Sequence, residues 1–250
     1  MLITVIIPTY NRSRTLPMAI LSLLRQGPAV DLDILIIDDG STDSTPSVIN
    51  ELMHQHPQIR QIRQTNAGVT NARNTGLRHL KPGTEFVTFL DSDDLSPANR
   101  FVSDLPLLLA NTELDLTYGK MMMVECLDYS TFEPVEGTRR IDLVGIHLSA
   151  GIYRRRLIER IGFFDVSLPQ AEDTDYLLRI FESGAKFLQT ETSCLYYLRH
   201  EGNMTNDTVL SARCFAAAVF KSICRRRADP SIVLHKPNFD VKALQAFIRT

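Results

Sequence analysis

The first half of the chain repeats one pattern of hydrophobic and polar positions: a short β-branched run, a polar loop, then apolar residues at helical spacing. Three runs are typical of buried strands, and a fourth, weaker candidate lies between the second and third. This alternation predicts β-α units around a mainly parallel sheet with flanking helices, an α/β fold of Rossmann-like type. The strand candidates are Ile3–Ile7, Leu32–Ile37, Ile59–Gln64 and Glu85–Leu90.

Beyond about residue 114 the pattern changes, and we expect antiparallel strands to extend the sheet. Residues 114–127 indicate one long strand or two adjacent strands, and residues 128–140 a loop. Glycines mark the ends of the two helices that follow. The predicted elements are helices at 154–161 and 172–181, a strand at 187–197, and an amphipathic helix at 209–227.

Composition excludes several classes of protein. The 250 residues are 44% hydrophobic and 22% charged, with 27 basic against 29 acidic residues, so no strong global field draws the chain to nucleic acid or to anionic lipid. The longest apolar run, Cys214–Phe220, is far shorter than the roughly 20 residues of a spanning helix. The first residues lack the pattern of a signal peptide, and the four cysteines form no CxxC pair. These features predict a cytoplasmic protein with reduced cysteines.

The acidic loop after the fourth strand candidate carries the clearest chemical signal. Asp91, Asp93 and Asp94 lie within four residues, with no basic residue among them. Like charges this close raise one another's pKa, so a cation is expected to compensate. Mg²⁺ and Mn²⁺ prefer such oxygen ligands, which favours Asp91 and Asp93 as a metal site. The alternative is a turn and helix start, for which Ser96-Pro97 supplies an N-cap and first helical residue.

Two other polar loops follow strands of the same predicted sheet. Ligands of open parallel sheets bind outside the carboxyl ends of the strands, so these loops should converge with the acidic loop. Asp39 could hydrogen-bond a base or ribose, or the Asp38–Ser41 segment could form an Asx turn with Gly40 at positive φ. Tyr10 could stack on a base, or it could be an ordinary loop aromatic.

Three further positions offer chemistry with a structural alternative. Arg73 lies in a predicted helix that opens after a polar loop; it could meet a nucleotide or form an ion pair with Asp91 or Asp38. Asp173, with Glu172 second, could act as a general base, although carboxylates in a first helical turn are also stabilised by the helix dipole. His200 could be a third metal ligand or bind pyrophosphate, or it could be a lone surface histidine.

Taken in order, five segments resemble the successive motifs of family 2 glycosyltransferases, over residues 3 to about 200. They are VIIPTYNR, LIIDDGSTDST, QTNAGVTNARNTGL, FVTFLDSDD and IGFFDVSLPQAEDTDYLLR. The resemblance implies the nucleotide-diphospho-sugar transferase (GT-A) fold, a donor such as a UDP-sugar, a Mn²⁺ or Mg²⁺ cofactor and inversion at the anomeric carbon. By resemblance, the nucleotide contacts are Thr9, Tyr10, Asp39 and Arg73. The DxD metal position is Asp91, Ser92 and Asp93, and the catalytic base is Asp173.

The chain also departs from part of that family. Processive synthases carry a QxxRW motif and membrane spans, whereas this chain has no tryptophan, so a single sugar addition is expected. The implied organisation is a catalytic domain at 1–205, with a nucleotide-binding half to 110 and an acceptor half beyond it, and a helical extension at 206–250. The acceptor, a saccharide, a lipid-linked molecule or a protein, should contact residues 125–150 and 200–250. Cell-surface polysaccharide or glycolipid synthesis is the expected setting.

Alternatives remain for the helix at 209–227 and for the activity. The helix could rest on a membrane surface, or its apolar stripe could pack against its own domain. A nucleotidyltransferase would share a related fold and metal, but the loop after the first strand has no glycine. The remaining hypothesis is a catalytically silent nucleotide-sugar binding or scaffold module. Steady release of UDP in the presence of an acceptor would distinguish an enzyme from such a module.

Overall fold

The computed structural model describes residues 1–27, 30–199 and 206–240, and the first half folds as its repeated pattern predicts. Four strands alternate with three helices, and each strand lies within two residues of its predicted bounds. The elements are β1 (Leu2–Thr9), α1 (Leu16–Leu24), β2 (Asp31–Asp38), α2 (Thr45–Gln55), β3 (Ile59–Arg63), α3 (Val69–Arg78) and β4 (Thr84–Phe89).

These four strands are all parallel and are covered on both faces. β1 pairs with β2 on one side and β4 on the other, and β3 extends the sheet beyond β2. Ile3, Val5 and Ile7 pack into one core cluster, whereas Ile6 packs into a second. Because successive side chains of a strand point to opposite faces, a sheet buried on both sides requires continuous apolar runs.

The second half widens the sheet at the β4 edge. Its elements are α4 (Arg100–Ala110), β5 (Leu116–Val124), β6 (Leu127–Asp128), β7 (Glu133–Pro134), β8 (Arg140–Leu143), β9 (Gly151–Arg154), α5 (Arg155–Ile161), α6 (Glu172–Glu182), β10 (Phe187–Leu198) and α7 (Thr208–Ala228). The strand order is β10-β5-β9-β4-β1-β2-β3, with β8 also paired to β5. β9 is antiparallel to β4 and β5, and β8 is antiparallel to β5, which confirms the predicted extension, but β10 runs parallel to β5.

The helix after the acidic loop begins later than the sequence indicates. In the alternative to a metal site, Ser96 and Pro97 are the N-cap and first helical residue, and that assignment is wrong, because α4 begins at Arg100. The backbone N–H of Ser96 donates to Ser22 Oγ over 2.9 Å, and Gln26 Nε2 donates to the Pro97 carbonyl over 2.7 Å. These long-range bonds hold the segment against α1 in a non-helical conformation.

The C-terminal part of the described chain packs on the main body. α7 lies along α6, and beyond it the ring of Phe239 makes edge contacts with Tyr118 and Phe181, at centroid distances of 6.1 and 6.2 Å. The segment 229–240 contains no helix. Within the described ranges, no helix is both long and apolar enough to cross a membrane. The division of the chain at residue 205 stays a prediction.

Candidate active site

The carboxyl ends of β1, β2 and β4 meet at one edge of the sheet, so the three polar loops lie side by side as predicted. The backbone N–H of Asp39 donates to the Thr9 carbonyl over 2.9 Å, and that of Leu90 donates to the Ile6 carbonyl over 3.1 Å. Thr9 is buried and its Oγ1 has no partner among the described residues, whereas Tyr10 is 45% exposed. This edge therefore offers a buried hydroxyl beside an accessible aromatic ring.

The two adjacent aspartates after β2 have different partners. Asp38 Oδ1 accepts the N–H of Ser41 over 2.9 Å, and Gly40 has the expected positive φ of 79°. The predicted side-chain-bonded turn is present, but its bond spans three residues rather than the two of an Asx turn. Asp39 instead accepts the N–H groups of Ala67 and Gly68, over 2.9 and 2.8 Å, at the start of α3. Asp39 thus ties the end of β2 to an adjacent helix N-terminus, and its contact with a nucleotide stays a prediction.

Arg73 is the buried cation of the site. It is 5% exposed; its Nη2 donates to Asp91 Oδ1 over 2.7 Å, and its Nη1 donates to Glu172. Burial would lower the pKa of Arg73, but the neighbouring carboxylates outweigh this effect and raise it. Burial likewise opposes ionisation of Asp91, yet Arg73 holds the pKa of that carboxyl below its ordinary value. The predicted ion pair with Asp91 is present, and it joins the acidic loop to α6.

Within the described residues, one cluster has ligand atoms close enough for a metal: Asp91, Asp94 and His147, whose atoms lie within 4.8 Å of one another. His147 Nε2 is 3.6 Å from Asp91 Oδ2 and 4.0 Å from Asp94 Oδ2. However, His147 Nδ1 accepts the N–H of Ser149 over 3.2 Å, so the neutral ring carries its proton on Nε2. His147 therefore faces the carboxylates as a hydrogen-bond donor, and the oxygens are the available ligands.

Asp94 differs from Asp91 and Asp93 in having no cationic partner among the described residues. It is 1% exposed; its Oδ1 accepts the N–H of Leu198 over 3.1 Å, and its Oδ2 has no hydrogen-bond partner among the described residues. Burial, then the charges of Asp93 and Asp91, raise the pKa of Asp94 well above its ordinary value. A buried carboxyl oxygen with no partner, beside two other carboxylates, fits a hard divalent cation.

The predicted DxD residues pair with different arginines. Asp91 is bound by Arg73, whereas Asp93 Oδ2 lies 3.4 Å from Arg12 Nη2 in the loop after β1. Ser92, between them, is 6% exposed. The two aspartates therefore face different neighbours, although both belong to the same edge of the sheet.

The start of α6 brings the predicted base to the same edge. Glu172 is buried and engaged by Arg73; burial raises the pKa of Glu172 and the guanidinium opposes that shift. Asp173 is only half-buried, and its Oδ1 accepts the N–H of Thr174 over 2.6 Å. Of the two carboxylates, Asp173 is the more accessible to a second substrate.

A small hairpin, β6–β7, adds an aromatic residue that sequence reasoning did not single out. Tyr129, between the two strands, is 40% exposed. Burial raises the pKa of Tyr129, and Cys126, Asp93 and Asp94 add to the shift. Arg25 Nη1 donates to the Thr131 carbonyl over 2.7 Å and anchors the hairpin on α1. Its position falls in the 125–150 region predicted to meet the acceptor.

Sequence reasoning also missed His147 and the special position of Asp94. A lone histidine in a loop carries no motif, and Asp94 differs from its two neighbours only through long-range contacts. His200, the predicted third ligand, lies outside the described residues, so its role stays a prediction.

A mainly parallel sheet with an acidic cluster at its carboxyl edge is the architecture of a nucleotide-diphospho-sugar transferase. The family model described as Glycosyl transferase family 2 matches residues 4–160, so the chain belongs to that family, as the five motifs predicted. Membership assigns glycosyl transfer as its class of reaction.

Two curated relatives illustrate the match. A protein of Haemophilus influenzae named as an uncharacterized glycosyltransferase is 30% identical over 178 residues, which cover 70% of this chain and 69% of that protein. The minor teichoic acid biosynthesis protein GgaA of Bacillus subtilis is 30% identical over 185 residues, covering 68% of this chain and 41% of GgaA.

Solved structures match over most of the chain and confirm the GT-A fold. Staphylococcus aureus TarS 1-349, in complex with UDP-GlcNAc, has a TM-score of 0.70 at 24% identity, over 89% of this chain and 65% of that one. The mannosyltransferase PcManGT from Pyrobaculum calidifontis, in complex with GDP-Man and Mn²⁺, has a TM-score of 0.66 at 21% identity, over 88% and 64%. The chain thus spans just under two thirds of either solved chain.

Proposed function

We propose that the chain transfers a single sugar from a UDP-sugar to an acceptor hydroxyl, with inversion and with the aid of Mn²⁺ or Mg²⁺. The observation that carries the proposal is the Arg73 bridge between Asp91 and Glu172. Through it, a carboxylate of the proposed metal site and the helix that carries the proposed base share one buried cation. Donor activation and acceptor deprotonation would therefore occur at one edge of the sheet.

The descriptions of three similar proteins support the proposed sugar donor and the proposed biological role. TarS is described in complex with UDP-GlcNAc, and PcManGT in complex with GDP-Man and Mn²⁺, which supports a nucleoside-diphosphate sugar and a divalent ion. GgaA is named for minor teichoic acid biosynthesis, which supports a role in cell-surface polymers. Among the nucleotides, UDP is our choice because the TarS complex has the higher of the two TM-scores.

On the donor side, Asp91, Asp93 and Asp94 would hold the metal ion, which when bound would neutralise the charge that develops on the departing diphosphate. Arg12 fixes Asp93, and Arg73 fixes Asp91, so neither carboxylate needs to reorient. Thr9, Tyr10 and Asp39 surround the proposed nucleotide position.

On the acceptor side, Asp173 would remove the proton from the attacking hydroxyl. Glu172 is less suited to that role, because it is 5% exposed and already engaged by Arg73. A half-buried carboxylate can be reached by the hydroxyl of an acceptor that enters from solvent. Its place in the first turn of a helix favours the charged form, which is the form that acts as a base. Attack from the face opposite the leaving nucleotide gives inversion.

Calorimetric titration of UDP, GDP and TDP, with and without Mn²⁺, tests the donor site. We expect Mn²⁺-dependent binding of UDP, lost in Asp94→Ala and retained in Asp173→Asn. Failure of all three nucleotides to bind in the presence of Mn²⁺ would refute the proposed donor site.

Release of UDP from a panel of UDP-sugars then tests catalysis. Wild-type protein should release UDP when an acceptor is present, and Asp173→Asn should bind UDP normally yet lose transfer by roughly 10²–10⁴-fold, the range for general-base catalysis. Normal turnover of Asp173→Asn would remove Asp173 from the mechanism.

A further inference from the structure

The outer face of α7 is apolar where a surface helix is normally polar. Its inner face packs on α6 through Cys214, Ala218 and Ser222, which follow one another at four-residue spacing and are buried. On the opposite side, Val209 is 79% exposed and Phe220 63% exposed. A helix that packs one stripe on its own domain should present polar residues to water. The outward apolar residues of α7 therefore need another explanation.

The charge of α7 is of one sign. Thr208–Ala228 contains five arginine or lysine residues and no aspartate or glutamate, although the whole chain has a net charge of -2. Lys221 and Arg225 turn inward: Lys221 pairs over 2.7 Å with a carboxylate of the loop before α6, and Arg225 pairs over 2.9 Å with a carboxylate of α6. Arg213 and Arg227 are exposed, and they share the helical spacing of the outward apolar residues. The outer face is thus both apolar and cationic.

A further exposed apolar residue lies beside this helix. Val166 is 61% exposed, in the loop that precedes α6. Lys221 fixes that loop to α7, because its Nζ donates to Asp165 over 2.7 Å and to Ser167 over 3.0 Å. The same loop leads directly to the start of α6, where Asp173 lies. A single loop therefore connects the surface beside α7 to the segment that carries Asp173.

We propose that the outer face of α7 docks on an anionic lipid bilayer, with its apolar side chains in the headgroup region and its arginines against acidic lipids. Apolar residues flanked by cations, without acidic residues, are the features by which helices bind such surfaces. A second copy of the chain is a poorer occupant, because two outer faces would bring cations of like sign together. The outer face comprises Val209, Arg213, Ala216, Phe220 and Arg227.

The proposal is tested by flotation of the 250-residue chain with 100 nm vesicles. One set of vesicles contains phosphatidylcholine alone, and the other an equimolar mixture of phosphatidylcholine and phosphatidylglycerol. We expect binding to the anionic vesicles only, weakened by high salt. The double variant Arg213→Gln/Arg227→Gln should lower the partition coefficient by about 30-fold, and Phe220→Ser by about tenfold. The matched control is Leu109→Ser, which removes a leucine that is 50% exposed on α4 and should leave binding unchanged.

Several results would overturn the proposal. Absence of binding to either vesicle, equal binding to both, or equal losses in Phe220→Ser and Leu109→Ser would each exclude specific docking through α7. If Phe220→Ser instead converts a dimer to a monomer in analytical ultracentrifugation, the outer face is an interface between copies of the chain. Circular dichroism and nucleotide titration of each variant confirm that the fold and the donor site are intact, so loss of docking is distinguishable from loss of folding.

Discussion

Replacing Asp94 by asparagine should change the stability of the protein in opposite directions without and with metal. Asparagine keeps an oxygen that can accept the N–H of Leu198, now 3.1 Å from Asp94 Oδ1. It removes a carboxyl group whose pKa is raised well above its ordinary value, first by burial and then by the charges of Asp93 and Asp91. It also removes the oxygen that has no hydrogen-bond partner among the described residues and that we assign to the metal.

Without metal, the sign follows from proton linkage. Between the ordinary pKa of aspartate, about 3.9, and the raised value in the folded state, the unfolded chain loses the Asp94 proton while the folded chain keeps it. The stability contribution of Asp94 therefore falls as pH rises through that window, and asparagine avoids the loss. The buried group becomes a neutral amide, whose N–H groups can donate to the nearby carboxylate of Asp91. The variant should therefore gain roughly 1–3 kcal/mol, or about 2–12 °C in Tm for a chain of this size.

With metal, the order should reverse. A Mn²⁺ concentration of 100 times Kd stabilises the wild-type protein by about 2.7 kcal/mol, and a variant that lacks a ligand gains much less. Differential scanning calorimetry at pH 7 in EDTA and in Mn²⁺, repeated near pH 4, measures both effects. The stability difference between the metal-free proteins should shrink at the lower pH.

Asp93→Asn is the matched control, because Asp93 is the neighbouring carboxylate but is paired with Arg12. It should not gain stability in EDTA. If metal-free Asp94→Asn is no more stable than wild type at pH 7, the account of Asp94 as a buried, unpaired carboxyl group is wrong. If Mn²⁺ stabilises Asp94→Asn as much as wild type but not Asp93→Asn, the metal is held without Asp94, as the DxD pattern alone predicted.

Three shorter predictions concern other parts of the structure. Arg73→Met leaves Glu172 buried without its cation and should cost about 3–5 kcal/mol in urea unfolding; an unchanged midpoint would contradict the bridge. Gly119→Ala places Cβ 2.5 Å from a backbone carbonyl oxygen of β10 and should lower stability by about 1–3 kcal/mol, whereas Gly83→Ala, with nothing within 4 Å, should not. Tyr129→Ala should raise the acceptor KM about tenfold, Tyr129→Phe should not, and neither should alter UDP affinity.

The sequence predicted the parallel half of the fold well because local pattern and tertiary burial agree there. A strand buried on both faces, such as β2, must be apolar throughout, and the loop after it must be polar. The missed strands are those with little local signal. β8 and β9 are four residues each, and their pairing with β5 depends on contacts distant in sequence. The start of α4 was misplaced for the same reason, because bonds from Ser22 and Gln26 override a favourable capping sequence.

The acidic loop shows most clearly what the local pattern leaves undetermined. From DSDD alone, each carboxyl group raises the pKa of the other two, and the three are equivalent. In the structure Arg73 lowers the pKa of Asp91, whereas Asp94 has no cationic partner in the part of the chain that the structure describes, and its pKa is raised. The proposed metal site therefore combines a charged carboxylate with one that should lose its proton when a metal binds, and metal affinity should rise with pH through the titration of Asp94. Since Arg73 lies 18 residues before Asp91, only the packing of α3 against the sheet assigns these charge states.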